Sequence, residues 1–239
     1  MKRTQIRKIA LALGALVCAL VGLPQSVLGI AIYEAEIDVL VTAGPLPAGT
    51  GTAVIPSPTA VGVNFVGNAF AAGGAAAIPV AGNALHTSAF ATGNAAFPPA
   101  SFATSFGVAE GIIEVLNTND FAVVVPITID WSWDVLASTT LPGEAAFAAI
   151  NFAVFLDGVL LLNDFAAVSS FGGLGLISAA AAGVDIFAPL LAPGLHIIDI
   201  DPTASGAAVP EPGTFLLLGT GFAALLGYGW RRRKYAVES

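Results

Sequence analysis

The chain has 239 residues and a formal charge of −8, long enough for one sizeable domain once targeting segments are set aside. Between Ile9 and Trp230 there is no Lys or Arg, while the same stretch carries fifteen carboxylates. A surface of one sign repels polyanions, which argues against nucleic acid and anionic lipid headgroups as partners of this stretch.

The first 29 residues read as a secretory signal peptide. Lys2, Arg3, Arg7 and Lys8 precede an apolar run over 9–23, followed by Pro24 and a small-residue exit. Cleavage after Gly29 and cleavage after Ala31 both fit. The single cysteine, Cys18, lies inside that run behind Val17 and lacks the small preceding residue of a lipidation signal. Once the leader is gone no cysteine remains, so the exported part must draw its stability from packing or bound ions.

Residues 32–201 are expected to form an all-β exported domain, an antiparallel sandwich or jelly-roll-like fold. Over 32–40, Glu34, Glu36 and Asp38 alternate with Tyr33, Ala35, Ile37 and Val39, the period of a half-buried strand. Residues 42–99 are rich in Ala, Gly, Pro and Asn. Gly67-Asn68, Gly82-Asn83 and Gly93-Asn94 recur there at unequal spacing, which predicts turns rather than a solenoid. A strand over 108–116 leads through Asn117-Thr118-Asn119-Asp120 into the clearest strand, 121–135. Its odd positions, including Ile127, Ile129, Trp131 and Trp133, are apolar, while Thr128, Asp130, Ser132 and Asp134 face outward. Pro126 marks an edge or a bulge.

Asp157-Gly158 between two apolar runs predicts a hairpin. A second hairpin is expected across Ala192-Pro193-Gly194, joining 184–190 to 195–201. Short helical turns are expected only at 144–149 and 178–182. Residues 202–208 read as a flexible spacer.

The C-terminus has three unlike parts in order. Residues 209–214 contain Pro210-Glu211-Pro212, residues 215–230 are apolar, and Arg231, Arg232, Arg233 and Lys234 open a basic tail over 231–239. Sixteen helical residues span about 24 Å, near the thickness of a bilayer core, which predicts a single transmembrane helix. The basic cluster stops that helix on the cytoplasmic side. Both charged ends therefore require one topology, with everything between them outside the inner membrane.

This arrangement resembles the PEP-CTERM sorting family. The resemblance covers about thirty residues and implies recognition at Pro210, Glu211 and Pro212 by an exosortase-type membrane transpeptidase. That partner would remove the helix and tail and release the protein, transiently anchored in the inner membrane, to the envelope or the exopolysaccharide matrix. Two prolines hold the motif extended, a shape that a protease-like cleft can grip. The tag has also been labelled after ice-binding proteins, but this chain has no Thr-x-Thr ladder and that activity is not carried over.

Within the domain no catalytic constellation stands out, and none is expected. Trp131 and Trp133 share the face of Ile127 and Ile129, which predicts core packing rather than a sugar-stacking platform. Paired acids suit calcium or glycoside hydrolysis. Asp199 and Asp201 are the candidate ion-binding pair, with calcium the only cofactor considered. The pairs fall on outward faces, where a solvated acidic surface is the simpler reading. His86 and His196 stand far apart and do not suggest a transition-metal site. The sequence points to a non-catalytic surface or matrix protein, with a calcium-assisted carbohydrate-binding module or a glycan hydrolase as alternatives.

Overall fold

The computed structural model describes residues 30–57, 59–96, 101–141, 144–172 and 175–209. Among them it is all-β, with no helix, and its strands are β1 (Ile30–Ala43), β2 (Thr50–Pro56), β3 (Ala60–Val66), β4 (Ala69–Val80), β5 (Ala84–Ala96), β6 (Phe102–Val108), β7 (Gly111–Asn117), β8 (Val123–Val124), β9 (Ile127–Thr139), β10 (Ala145–Leu156), β11 (Val159–Phe171), β12 (Gly175–Phe187), β13 (Leu190–Leu191) and β14 (Gly194–Val209). One sheet has the order β12-β9-β1-β5-β4, and the other runs β11-β10-β14-β6-β3. In the second sheet β14 also pairs with β7, and β7 with β2. β8 and β13 form a separate two-stranded ribbon. All pairings are antiparallel. The two large sheets pack face to face, with β14 lying across β1 and β5.

The middle strands are the first and the last. β1 sits between β9 and β5, and its alternate residues Ala31 to Ala43 are all fully buried. β14 lies between β10 on one side and β7 then β6 on the other, changing partner between Ile200 and Thr203. Pro202 falls at that change. Its carbonyl accepts the Ala109 N–H at 3.1 Å. N and O of a strand residue point to one side, so the missing proline N–H faces the β6–β7 corner, where no ladder bond is needed.

Core volume is graded along the sandwich. One end is filled by Ile37, Val39, Ile113, Ile127, Ile129, Phe152, Ile198 and Ile200. The other end is filled by Ala31, Ala35, Ala91, Ala103, Ala146 and Ala208, with Tyr33 as its largest side chain. Small residues let the sheets come close there. A Cβ at Gly206 would overlap the Tyr33 ring, and one at Gly107 would overlap the Gly74 carbonyl oxygen across the sandwich. The Tyr33 hydroxyl shares a 2.8 Å hydrogen bond with Ser105 Oγ, so its polar end is satisfied.

Both ends of the described domain leave from this narrow end. The Ile30 N–H donates to Thr140 Oγ1 at 2.9 Å, and Val209 pairs with Ala145 across the segment joining β9 to β10. That segment is held by the buried Glu144 carboxylate, which accepts the Thr140 N–H at 2.6 Å and the Leu141 N–H at 2.8 Å.

Several expectations are corrected. Residues 42–99 are largely strand. Gly67-Asn68 and Gly82-Asn83 are turns, but Gly93-Asn94 lies inside β5. The segment 144–149 is almost wholly in β10, and 178–182 lies in β12; no helical turn forms. No hairpin forms across Ala192-Pro193-Gly194, because β12 joins β9 in the first sheet while β14 crosses to the second. The spacer expected at 202–208 is the second half of β14, with Pro202, Ala204, Gly206 and Ala208 facing the core. The hairpin at Asp157-Gly158 is present between β10 and β11, with Asp157 at φ 49°. The strand expected over 121–135 divides at Pro126 into β8 and β9. The expected leader over 1–29, residues 210–214 of the sorting segment, the helix expected over 215–230 and the basic tail over 231–239 lie outside the described residues, while Val209 ends β14.

Because the Tyr33 ring fills the space above Gly206, replacing Gly206 by Ala should destabilise the domain by about 1–3 kcal/mol through overpacking. Gly51→Ala in β2, where no atom lies within 4 Å of the new methyl, is the control and should change little. Equal denaturation midpoints for the two variants would contradict this packing.

Candidate functional site

With no Lys or Arg in the domain, its chemistry is that of carboxylates, and the sheets sort these by strand parity. On the outer face of the first sheet, Glu34, Glu36 and Asp38 of β1 stand beside Asp130 and Asp134 of β9. Glu36 is directly opposite Asp134, and Asp38 opposite Ser132. Like charges facing each other across a ladder repel. Burial, followed by Asp38, Glu34 and Asp134, raises the Glu36 pKa above the ordinary carboxylate value. His86 of β5 places Nε2 3.1 Å from Asp38 Oδ1.

Asp199 and Asp201 lie on the outer face of the second sheet, opposite Phe155 and Ala153 of β10. Both are partly buried, and β7 begins beside them at Gly111, preceded by Glu110. Burial first, then the charges of Asp199 and Glu110, push the Asp201 carboxyl up to about 6. The structure thus brings the expected pair together and adds Glu110. Among the described residues, no group of three or more His, Cys, Asp or Glu is arranged to hold a metal ion.

Asp199 also borders a shallow depression, with Phe155, Asp157, Gly158 and Ile197. Its floor is a hydrogen-bonded clasp. Asp157 Oδ1 accepts the Ile197 N–H at 2.9 Å, and Oδ2 lies 2.7 Å from His196 Nδ1. His196 Nε2 lies 2.9 Å from the Ala192 carbonyl. Both ring nitrogens therefore meet acceptors, which favours the imidazolium. Burial opposes that charge, but the bonds to Asp157 and Ala192 and the Asp157 charge outweigh it, and the His196 pKa rises. Asp157 faces the same opposition from burial and is nevertheless lowered by His196 and the Ile197 N–H. The clasp ties the β10–β11 turn to the start of β14.

Trp131 and Trp133 face inward, as expected, but at the open side of the sandwich between edge strands β11 and β12. The Trp131 ring lies 5.6 Å from that of Phe152 at 41°, over Gly183, where no side chain competes for the space. Its Nε1–H donates to Asp185 Oδ2 at 2.9 Å, and the Trp133 Nε1–H to Asp164 Oδ2 at 2.8 Å. Both indole dipoles are thus used within the protein. An inward carboxylate on an edge strand also discourages pairing with another sheet.

Sequence reasoning missed Asp164, Asp185 and Glu144. In β12 the outer residues Val184 and Ile186 are more apolar than the inner Gly183 and Asp185, which inverts the usual signal. Asp164 comes after a register shift in the β10–β11 ladder at Val154/Phe155. The Glu144 contacts are local, three and four residues back, and the Pro142-Gly143 dipeptide before Glu144 was the available cue in the sequence.

The Asp201 geometry sets a pH dependence. Its folded-state pKa lies above the ordinary 3.8 of the unfolded chain, so ionising it costs stability at neutral pH; the cost starts to fall as pH drops through about 6 and is gone only below 3.8. Asp201→Asn should therefore melt about 2–4 °C above the unsubstituted chain at pH 7.5, about half as far above it near pH 5, and about level with it near pH 3.5. An equal offset at all three pH values would contradict the carboxylate repulsion.

Comparisons with known proteins bear on the C-terminus. A comparison with curated proteins gives no match. Among solved structures, a GH31 α-xylosidase from Xanthomonas citri is similar over 49% of this chain and 22% of that one, at 7% identity and a TM-score of 0.12, and carries no argument. The PEP-CTERM protein-sorting motif matches residues 208–234, beginning in the last two residues of β14. The chain therefore carries a PEP-CTERM protein-sorting motif that starts at the end of β14.

Proposed function

We propose that this chain is an exported surface or extracellular-matrix protein that an exosortase-type membrane transpeptidase processes at Pro210, Glu211 and Pro212. The observation that carries the reading is the sorting motif over 208–234. The domain before it is a β-sandwich with a wholly acidic charge set, suited to a role outside the inner membrane. Residues 215–230 hold the precursor in the membrane, and Arg231, Arg232, Arg233 and Lys234 keep the tail inside. Processing then releases the sandwich to the envelope or to exopolysaccharide, where it acts without catalysis. The internal bonding of both indoles favours a structural role over the calcium-assisted carbohydrate module or the hydrolase.

Intact-mass measurement of the chain recovered from the envelope and extracellular fractions tests this reading. The expected mature form has lost residues 215–239. Replacing Pro210-Glu211-Pro212 by Ala-Ala-Ala should leave the full C-terminus in the inner-membrane fraction. A mature exterior form still carrying residue 215 onward would contradict the proposal.

A further inference from the structure

We infer that the narrow end of the sandwich, where both chain ends leave, rests on the bilayer surface while the precursor is anchored. This rests on reading residues 215–230 as the membrane span. Three independent observations converge on that end.

The first is tether length. β14 ends at Val209 and the apolar run starts at residue 215, so five residues connect them. Fully extended, five residues reach at most about 18 Å, less than the length of the sandwich. β1 likewise begins at Ile30, directly behind the leader, and Ile30 and Val209 both meet the segment joining β9 to β10. The end carrying Ile30 and Val209 is therefore held towards the membrane, and the opposite end points away.

The second is the side chains that end displays. Ile30, Phe65, Val66, Phe70, Phe171 and Leu176 lie at the terminal rungs of their strands, each between 40% and 63% exposed. Register places them together. Leu176 is level with Ser138 and Ile32, which is level in turn with Asn94 and Phe70; Phe171 is opposite Ala145 beside Val209. An apolar rim of this kind suits the boundary between headgroups and acyl chains.

The third is charge. Among the described residues, the only carboxylate nearer this end than Glu34 is Glu144, which is buried and bonded to the backbone of its own turn. All others lie from the level of Glu36 onward, towards the far end. The acidic character that repels anionic headgroups is therefore withdrawn from the described part of the membrane-facing end, which leaves Glu211 of the tether as the one carboxylate next to the span. A lipid surface fits this distribution better than a second copy, since the tether supplies the first and not the second.

The full chain in phosphatidylcholine vesicles containing headgroup-spin-labelled lipid tests the orientation. In a Cys18→Ser background, a fluorophore is placed at Leu176→Cys or at Val159→Cys, both exposed and at opposite ends. The label at 176 should be quenched several-fold more than the label at 159. Equal quenching, or none at 176 in vesicle-bound chain, overturns the apposition while leaving the anchor intact. Energy transfer between copies labelled at 176, without lipid quenching, overturns it in favour of self-association. A chain that does not travel with the vesicles overturns the anchor reading and the apposition with it.

Discussion

Tyr33 of β1 lies on Gly206 of β14, and through that contact the first and last strands of the domain are packed against each other across the sandwich. Each is also the middle strand of its own sheet, paired on both sides. Neither sheet has a centre until both β1, over Ile30–Ala43, and β14, over Gly194–Val209, are in place. The small inner residues of this end, Ala31, Ala35, Ala103, Ala146 and Ala208, follow from it, because sheets drawn close around one tyrosine leave no room for larger ones.

The same constraint links folding to sorting. The second sheet needs β14 for its pairings with β10, β6 and β7, and β14 is complete only at Val209. The sorting segment follows without an intervening linker. The sorting motif thus begins on the last two residues of a strand that the second sheet needs. The mutually repelling Glu36 and Asp134 stand on the outer face of the first sheet.

The legible parts of the fold were those where chemistry and parity agreed. β1 and β9 alternate acids with large apolar residues, and Asp157-Gly158 has the backbone preference that a two-residue turn requires. Over 42–99 the sequence showed only turns, at the three Gly-Asn repeats, because Ala and Gly carry little periodic signal, although close sheet packing selects them. β12 hid its parity behind an inward Asp185, and the second half of β14 hid behind Pro202, whose cost disappears where the strand changes partners. Asp199 and Asp201 were found from spacing alone. Glu110, which completes their surroundings, came from a corner 91 residues earlier that only the sheet brings near.

The account stands most directly on the continuity of β14 to its end. Native-state amide hydrogen exchange on the full chain reads this at residues 203–208, whose pairing partners are Val108 to Ala103. These amides should exchange with the protection of β1, at the free energy of global unfolding. Exchange there at the rate of an unstructured segment, with β1 still protected, would contradict it.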